Sequence, residues 1–304
     1  MDALYQHWFK KTGRTKEKTE EQTQSARFSN HQQASKLNAF FKDNPNQIEN
    51  SSKGYVSMVG AGPHDPELLT IKAVKAIMRA DVLLYDRLVN KDILELASSA
   101  SDWIYVGKRC GETSIKQSEI SHLMVQLAQQ GKRVVRLKGG DAFVFGRGGE
   151  EALELVRHSI PYEVIPGITA AIGCSASSLI PLTHRGISRS VTFVTGQVVT
   201  GAFDAWSQLM KSGQTLVFYM GLEKSSEIQK GLITSGLPDD FPVAIISHGC
   251  SPQQQIRITQ LNQLKELSKT LKGISPTLIV MGEVVKLREQ LINTVQSVTE
   301  YEVT

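Results

Sequence analysis

Tyr55-Val56-Ser57-Met58-Val59-Gly60-Ala61-Gly62-Pro63-His64-Asp65-Pro66-Glu67 is the stretch whose reading decides the fold class. Residues 55–59 have strand texture and run into a glycine turn, and the turn runs into a helix start. Asp65 can accept from free amides, Pro66 fits the first helical position, and Glu67 complements the positive end of the helix. Leu68, Leu69, Ile71, Val74, Ile77 and Met78 then recur at helical spacing, which predicts a helix running on from Pro66.

The same alternation continues outward from there. Strand patterns occupy 82–85, 103–106, 134–137 and 162–165, with a helix at 117–130 ended by Gly131. After the Pro166-Gly167 break, strands are predicted at 191–194, 215–219, 243–246, 256–259 and 277–280, with a final helix from near Glu283. The 256–259 strand follows another after a short turn, so this half should carry antiparallel pairing. The reading is an α/β protein of two α/β domains, 54–166 and 167–304, with a cleft between them near Pro166–Ala170. There is no internal repeat.

Residues 1–53 have a different texture. The run from Thr12 to Ser35 is rich in Gln, Thr, Ser, Lys and Glu, between small apolar clusters at Leu4, Tyr5, Trp8, Phe9 and at Leu37, Phe40, Phe41. This reads as a polar, flexible N-terminal extension: a tail docked on the body, or an arm toward a partner or second subunit. Of the 34 Lys/Arg and 30 Asp/Glu in the 304 residues, nine and six fall in 1–53. The body is therefore nearly neutral, and no basic field recommends nucleic acid as a partner. At 40% apolar and 21% charged residues, the chain is neither disordered throughout nor fibrous. No apolar run spans a membrane and no secretory signal opens the chain, so a cytoplasmic setting is expected. Cys110, Cys174 and Cys250 have no metal-ligand spacing and are odd in number, which predicts neither a disulfide framework nor a metal site.

Two glycine clusters carry the chemistry. Gly60-Ala61-Gly62 after a strand invites a dinucleotide reading, with Asp86 as the ribose acid. Asp65 holds the third glycine's slot, however, and Pro63 removes an amide a pyrophosphate would want, so that reading fails. The second cluster is more specific: five glycines within residues 139–149, with Asp141 as an acceptor, Phe143 and Phe145 as apolar walls, and Arg147 as a donor for a carboxylate. Exposed backbone there suggests close approach of a ligand, although a glycine loop with an internal salt bridge is the plainer alternative.

The ordered set VGAGPHDPELLT (59–70), YDRLV (85–89), VGKR (106–109), RLKGGDAFVFGRGGEE (136–151), PGITAA (166–171), PLTHR (181–185) and YMG (219–221) resembles the uroporphyrinogen-III C-methyltransferases of the tetrapyrrole methylase superfamily. The resemblance runs from about Tyr55 to about Val285. It implies a class III methyltransferase fold with S-adenosyl-L-methionine as methyl donor and S-adenosyl-L-homocysteine as product. The implied reaction methylates uroporphyrinogen III at C2 and C7, giving precorrin-2 via precorrin-1, without metal, in a homodimer that feeds sirohaem, cobalamin or haem d1 synthesis.

By matching motif, the resemblance implies Asp86 as proton acceptor and Lys108 as proton donor. Pro63, Gly139, Gly140, Asp141, Val144, Thr169, Ala170, Met220 and Gly249 are implied at the methyl donor. Arg109, Arg147 and Arg185 are candidates for the many carboxylates of the macrocycle, and Glu112, on the same loop as Arg109, for orienting it or facing a pyrrole NH. Each has a plain structural alternative, such as an Asp86–Arg87 pair. The chain departs from the family pattern at His64 (usually glycine), Ala142 (commonly proline), Gln197 (often histidine) and Ser247-His248-Gly249-Cys250 (usually Glu-Asn-Gly-Thr). A side chain at 64 must avoid positive φ or accept strain. These departures keep two other readings open: a methylase of another tetrapyrrole, or a cofactor-binding homologue without turnover.

Overall fold

A computed structural model describes residues 54–107, 116–197 and 201–292. They belong to one compact unit, Ser52–Thr304, that contains two five-stranded sheets. The first sheet takes β1 (Tyr55–Gly60), β2 (Val82–Tyr85), β3 (Asp102–Tyr105), β4 (Arg133–Lys138) and β5 (Tyr162–Ile165) in the order β3-β2-β4-β1-β5. Every pair in it is parallel. The second takes β6 (Val191–Thr195), β7 (Thr215–Tyr219), β8 (Pro242–Ser247), β9 (Gln255–Gln260) and β10 (Thr277–Met281) in the order β6-β7-β10-β8-β9. There only β6 and β7 run parallel. The antiparallel β8–β9 hairpin expected from the short turn is present, with Pro242 opposite Gln260.

The helix expected from Pro66 breaks in two. Asp65 Oδ1 accepts the Glu67 amide at 2.9 Å and caps a single 3-10 turn, Pro66–Leu68. Leu69 then turns extended at ψ 141°, and Thr70 Oγ1 accepts the Ala73 amide at 3.1 Å to start α1 (Ile71–Met78) afresh. Two good caps five residues apart compete for one turn, and both are used.

Further helices are α2 (Lys91–Leu94), α3 (Gln117–Gln129), α4 (Gly148–Arg157), α5 (Ala170–Ser177), α6 (Ala202–Lys211), α7 (Ser225–Thr234) and α8 (Leu264–Thr270), and residues 287–292 are helical after a 3-10 turn at Glu283–Lys286. On one face of the first sheet, Val56, Met58 and Val134 pack with Ile120 and Met124 of α3 and Leu155 of α4. On the other, Val59, Leu83 and Leu137 pack with Ala73 and Ile77 of α1 and with Ile93. Burial of both faces explains the near-continuous apolar runs of β1 and β2.

In the second sheet, Leu216, Phe218, Val243, Ile245 and Ile279 lie under α6, α7 and α8. Trp206 there meets Phe218 edge to face at 5.1 Å. The opposite face, Val217, Ala244, Ile246, Leu278 and Val280, is covered by Ala171 and Cys174 of α5. The helix that leaves the first sheet is thus built into the core of the second.

Candidate functional site

All five strands of the first sheet end on one edge, and in open α/β sheets ligands sit beyond that carboxyl edge. The turns after β1, β4 and β5 pack there backbone against backbone. Gly62 and Gly140 exchange both hydrogen bonds, at 3.1 and 2.7 Å. A Cβ on Gly60 would meet Gly167 N at 2.5 Å, and one on Gly167 would strike Gly140 O. Gly139 lies where a Cβ would be 2.6 Å from Leu88 Cβ, in the turn after β2. Gly146 and Gly148 lie against the carbonyl of Ala142, and only Gly149 of the loop's five faces open space. The glycines are therefore needed first for the loops to nest in one another, a reason their exposed-backbone reading did not contain.

Asp141 holds this nest. Its Oδ1 accepts the Phe143 amide at 2.8 Å and its Oδ2 accepts the Gly167 amide at 3.0 Å, tying the long loop to the turn after β5. Beyond it the loop exposes Phe143 and Phe145, with Val144 half-buried between them. Phe145 lies 4.8 Å, centroid to centroid, from the ring of Tyr219 at the end of β7. Tyr219 also joins the second sheet to α5: its hydroxyl is 2.6 Å from Thr169 Oγ1 and accepts the Ala171 amide at 2.8 Å. Burial pushes the phenol's pKa up.

Ala170 starts α5, and Met220, left-handed at φ 53°, stands 56% exposed beside Tyr219. Pro63 packs under α5, where a Cβ on Gly173 would be 2.5 Å from its Cγ. Gly249 is buried, and a Cβ there would strike Cys174 Sγ. Of the residues implied at the methyl donor, 63, 139–141, 169, 170 and 220 thus gather at one edge, and 249 abuts α5.

Beneath this edge lies a buried ionic cluster that no motif reading assigned. Arg136 and Lys138 occupy alternate positions of β4 and face α3 and α4, their side chains 4% and 5% exposed. Both reach Glu151 Oε1, from Arg136 Nε at 3.3 Å and Lys138 Nζ at 3.0 Å, and Gln117 Nε2 donates to the same oxygen at 2.8 Å. Glu151 is fully buried, and its Oε2 has no partner among the described residues. Arg136 Nη2 lies 3.5 Å from Asp86 Oδ2, so two cations face two carboxylates and the cluster is neutral. Burial, then the charge of Arg136, push the Lys138 pKa down, opposed by Glu151.

Asp86, at the end of β2, uses Oδ1 to accept the Leu88 amide at 3.1 Å. The pairing with Arg87 weighed as its plain alternative does not form, because Arg87 Nη2 instead donates to Ser275 Oγ at 3.0 Å. Arg147 is exposed, left-handed at φ 59°, and forks onto Glu150 at 2.9 and 2.6 Å, the internal salt bridge that competed with a substrate role. Arg185 is exposed beside His184 and makes no ion pair among the described residues. Lys108, Arg109 and Glu112 lie outside the described residues. His64 accepts strain at φ 109°, its carbonyl held by Asn90 Nδ2 at 3.1 Å. The cluster had one sequence signal: Arg136 and Lys138 at alternate positions of a central strand whose other interior residues, Val134, Val135 and Leu137, are apolar.

Residues 55–265 match the family model of the tetrapyrrole (corrin/porphyrin) methylases. The chain belongs to this family. It is a methyltransferase of the tetrapyrrole methylases, 50% identical over 244 residues to the siroheme synthase of Psychromonas ingrahamii, covering 80% of this chain and 51% of that protein. The Escherichia coli K12 siroheme synthase is 50% identical over 239 residues, 79% of this chain and 52% of its own. The chain thus spans about half the length of the curated relatives it matches. Among solved structures, the native uroporphyrin III C-methyl transferase of Thermus thermophilus is 38% identical with a TM-score of 0.66, over 77% of this chain and 100% of that one. The same Thermus enzyme complexed with S-adenyl homocysteine is 37% identical with a TM-score of 0.65, over 77% and 94%.

Proposed function

We propose that this methylase transfers methyl groups from S-adenosylmethionine to uroporphyrinogen III at C2 and C7, giving precorrin-2 via precorrin-1. The observation that carries the reading is the gathering of Pro63, Gly139–Asp141, Thr169, Ala170 and Met220 at one sheet edge, with Asp86 held by Arg136 at its rim. The residues suit the donor: carboxylates for a cation, exposed Phe143, Phe145 and Met220 for apolar and aromatic surface. S-adenosylmethionine supplies, when bound, a methyl group on a cationic sulfur.

The chain must align the reacting carbon, keep water out and move a proton. Asp86 accepts the proton that the ring system gives up once its carbon is methylated, oriented by Arg136 Nη2 and the Leu88 amide, and Lys108 donates one. Arg109, Arg147, Arg185 and Glu112 hold the polar groups of the macrocycle. For Arg147 this means trading Glu150 for a substrate carboxylate, an easy exchange because an exposed ion pair contributes little. The donor lies in a cleft between domains 54–166 and 167–304, with 1–53 as an extension. The enzyme is a cytoplasmic homodimer. No described helix is long and apolar enough to cross a membrane.

The test is anaerobic turnover of uroporphyrinogen III with S-adenosylmethionine, the oxidised product being weighed. A gain of two methyl groups, lost in Asp86→Asn with S-adenosylhomocysteine binding retained, is the expected result. Binding of S-adenosylhomocysteine without any methyl transfer would overturn uroporphyrinogen III as the substrate.

A further inference from the structure

The turn 248–250, where the chain departs from its family, meets α5 at two sulfurs. Cys174 is buried in α5, Cys250 is half-buried after β8, and both are free thiols. A Cβ on Gly249 would strike Cys174 Sγ, and one on Gly173 would lie 3.4 Å from Cys250 Sγ. Each sulfur therefore rests against the residue preceding the other cysteine. The turn is clamped in this register: Gln254 Oε1 accepts the Cys250 amide and the Ser177 hydroxyl, both at 2.7 Å, and Cys250 Sγ lies 3.5 Å from Ser177 Oγ.

We propose that Cys174 and Cys250 form a dithiol modification site that reacts with low-molecular-weight disulfides such as oxidised glutathione and closes an intramolecular disulfide. The two thiols are chemically unequal. The neighbouring Cys174 thiol draws the Cys250 pKa down to about 7, helped by Ser177 and opposed by burial and by Asp65. The Cys250 thiol, then burial, push Cys174 far up. The more accessible sulfur is thus the nucleophile at neutral pH. Cys250 thiolate attacks one sulfur of oxidised glutathione, whose S–S bond breaks and releases a first glutathione thiolate. That thiolate takes the Cys174 proton, and Cys174 sulfur attacks Cys250 Sγ, expelling the second glutathione. Two protein thiols are oxidised and one glutathione disulfide is reduced to two thiols.

The full chain carrying Cys110→Ser is incubated with oxidised glutathione, alkylated, and weighed intact. The expected product has lost two hydrogens, resists alkylation and yields a linked peptide containing Cys174 and Cys250. Cys174→Ser should stop at a glutathione adduct on Cys250, and Cys250→Ser should stay unmodified. Before oxidation, alkylation of Cys250 should quicken as pH rises through about 7, because the thiolate is the reactive form. A persistent adduct on Cys250 with both cysteines present, or full alkylation of both after incubation, would overturn the proposal. Should Cys110→Ser not fold, peptide mapping of the unaltered chain gives the same answer. The readout is mass, so failure here is separate from failure of the methyl-transfer reading.

Discussion

The two sheets solve the same packing problem with opposite materials. The second packs an apolar core with no ion pair among its described residues on the face under α6, α7 and α8, with Trp206 against Phe218. The first, on the face under α3 and α4, interrupts its apolar core with Arg136, Lys138 and Glu151. A buried ion pair is poor value for stability, since desolvation consumes most of the attraction. The cluster instead reaches the edge where the glycine loops nest, and its outermost contact is Asp86. Strand direction accounts for the rest of the contrast. Five parallel strands deliver their turns to one edge, whereas the mixed second sheet contributes Tyr219, Met220 and the turn after Ser247. One sheet stabilises the body, and the other trades some stability for a charged floor under its loops.

The sharpest way to break this contrast is a pair of truncations. Glu151→Ala strands two buried cations and should cost about 3–5 kcal/mol in denaturant unfolding. Phe218→Ala should cost a similar amount, roughly 3–5 kcal/mol, by opening a cavity. The two part company on rescue: Arg136→Met/Lys138→Met/Glu151→Leu should recover the lost stability while methyl transfer stays absent. Recovery of both would mean the cluster has no bearing on Asp86.

A smaller effect is expected at the loop nest. Asp141→Ala leaves the Gly167 and Phe143 amides without their acceptor and should cost about 1–3 kcal/mol, with a weakened affinity for S-adenosylhomocysteine by calorimetry. Asp141→Asn retains an acceptor oxygen and should fall between the variant and the unaltered chain. Equal stability of all three would show that the loops are held by glycine packing alone. The smallest effect has the opposite sign. His64→Gly removes a side chain from a backbone at φ 109° and should stabilise by about 1 kcal/mol, strain relief exceeding the added chain entropy. A loss of stability would mean that the imidazole, rather than the backbone, is what the turn needs.

All ten strands of the described residues could be read along the chain, because strand periodicity and glycine punctuation are local properties. The α1 break was less legible, since Asp65 and Thr70 are equally good caps and only packing shows that both are used. The residues of the glycine loop could be named from their motif, but their nesting could not: Gly60, Gly140 and Gly167 touch across 80 and 27 residues of chain. Arg136 and Lys138 are buried-face charges whose sequence signal was passed over, and Glu151 as their common partner depends on how α4 lies over β4.

The sequence by itself determined the alternation of elements, the family and the identity of the loop residues, all set by neighbours within a few positions. Only the tertiary structure decided who meets whom: Asp86 with Arg136 rather than Arg87, Tyr219 with Thr169, and Cys174 with Cys250 across 76 residues. The reason is physical. Local patterns report backbone preference and burial, which act over a turn or a strand, whereas hydrogen bonds and ion pairs act over about 3 Å and form only once the chain has brought distant segments within that reach.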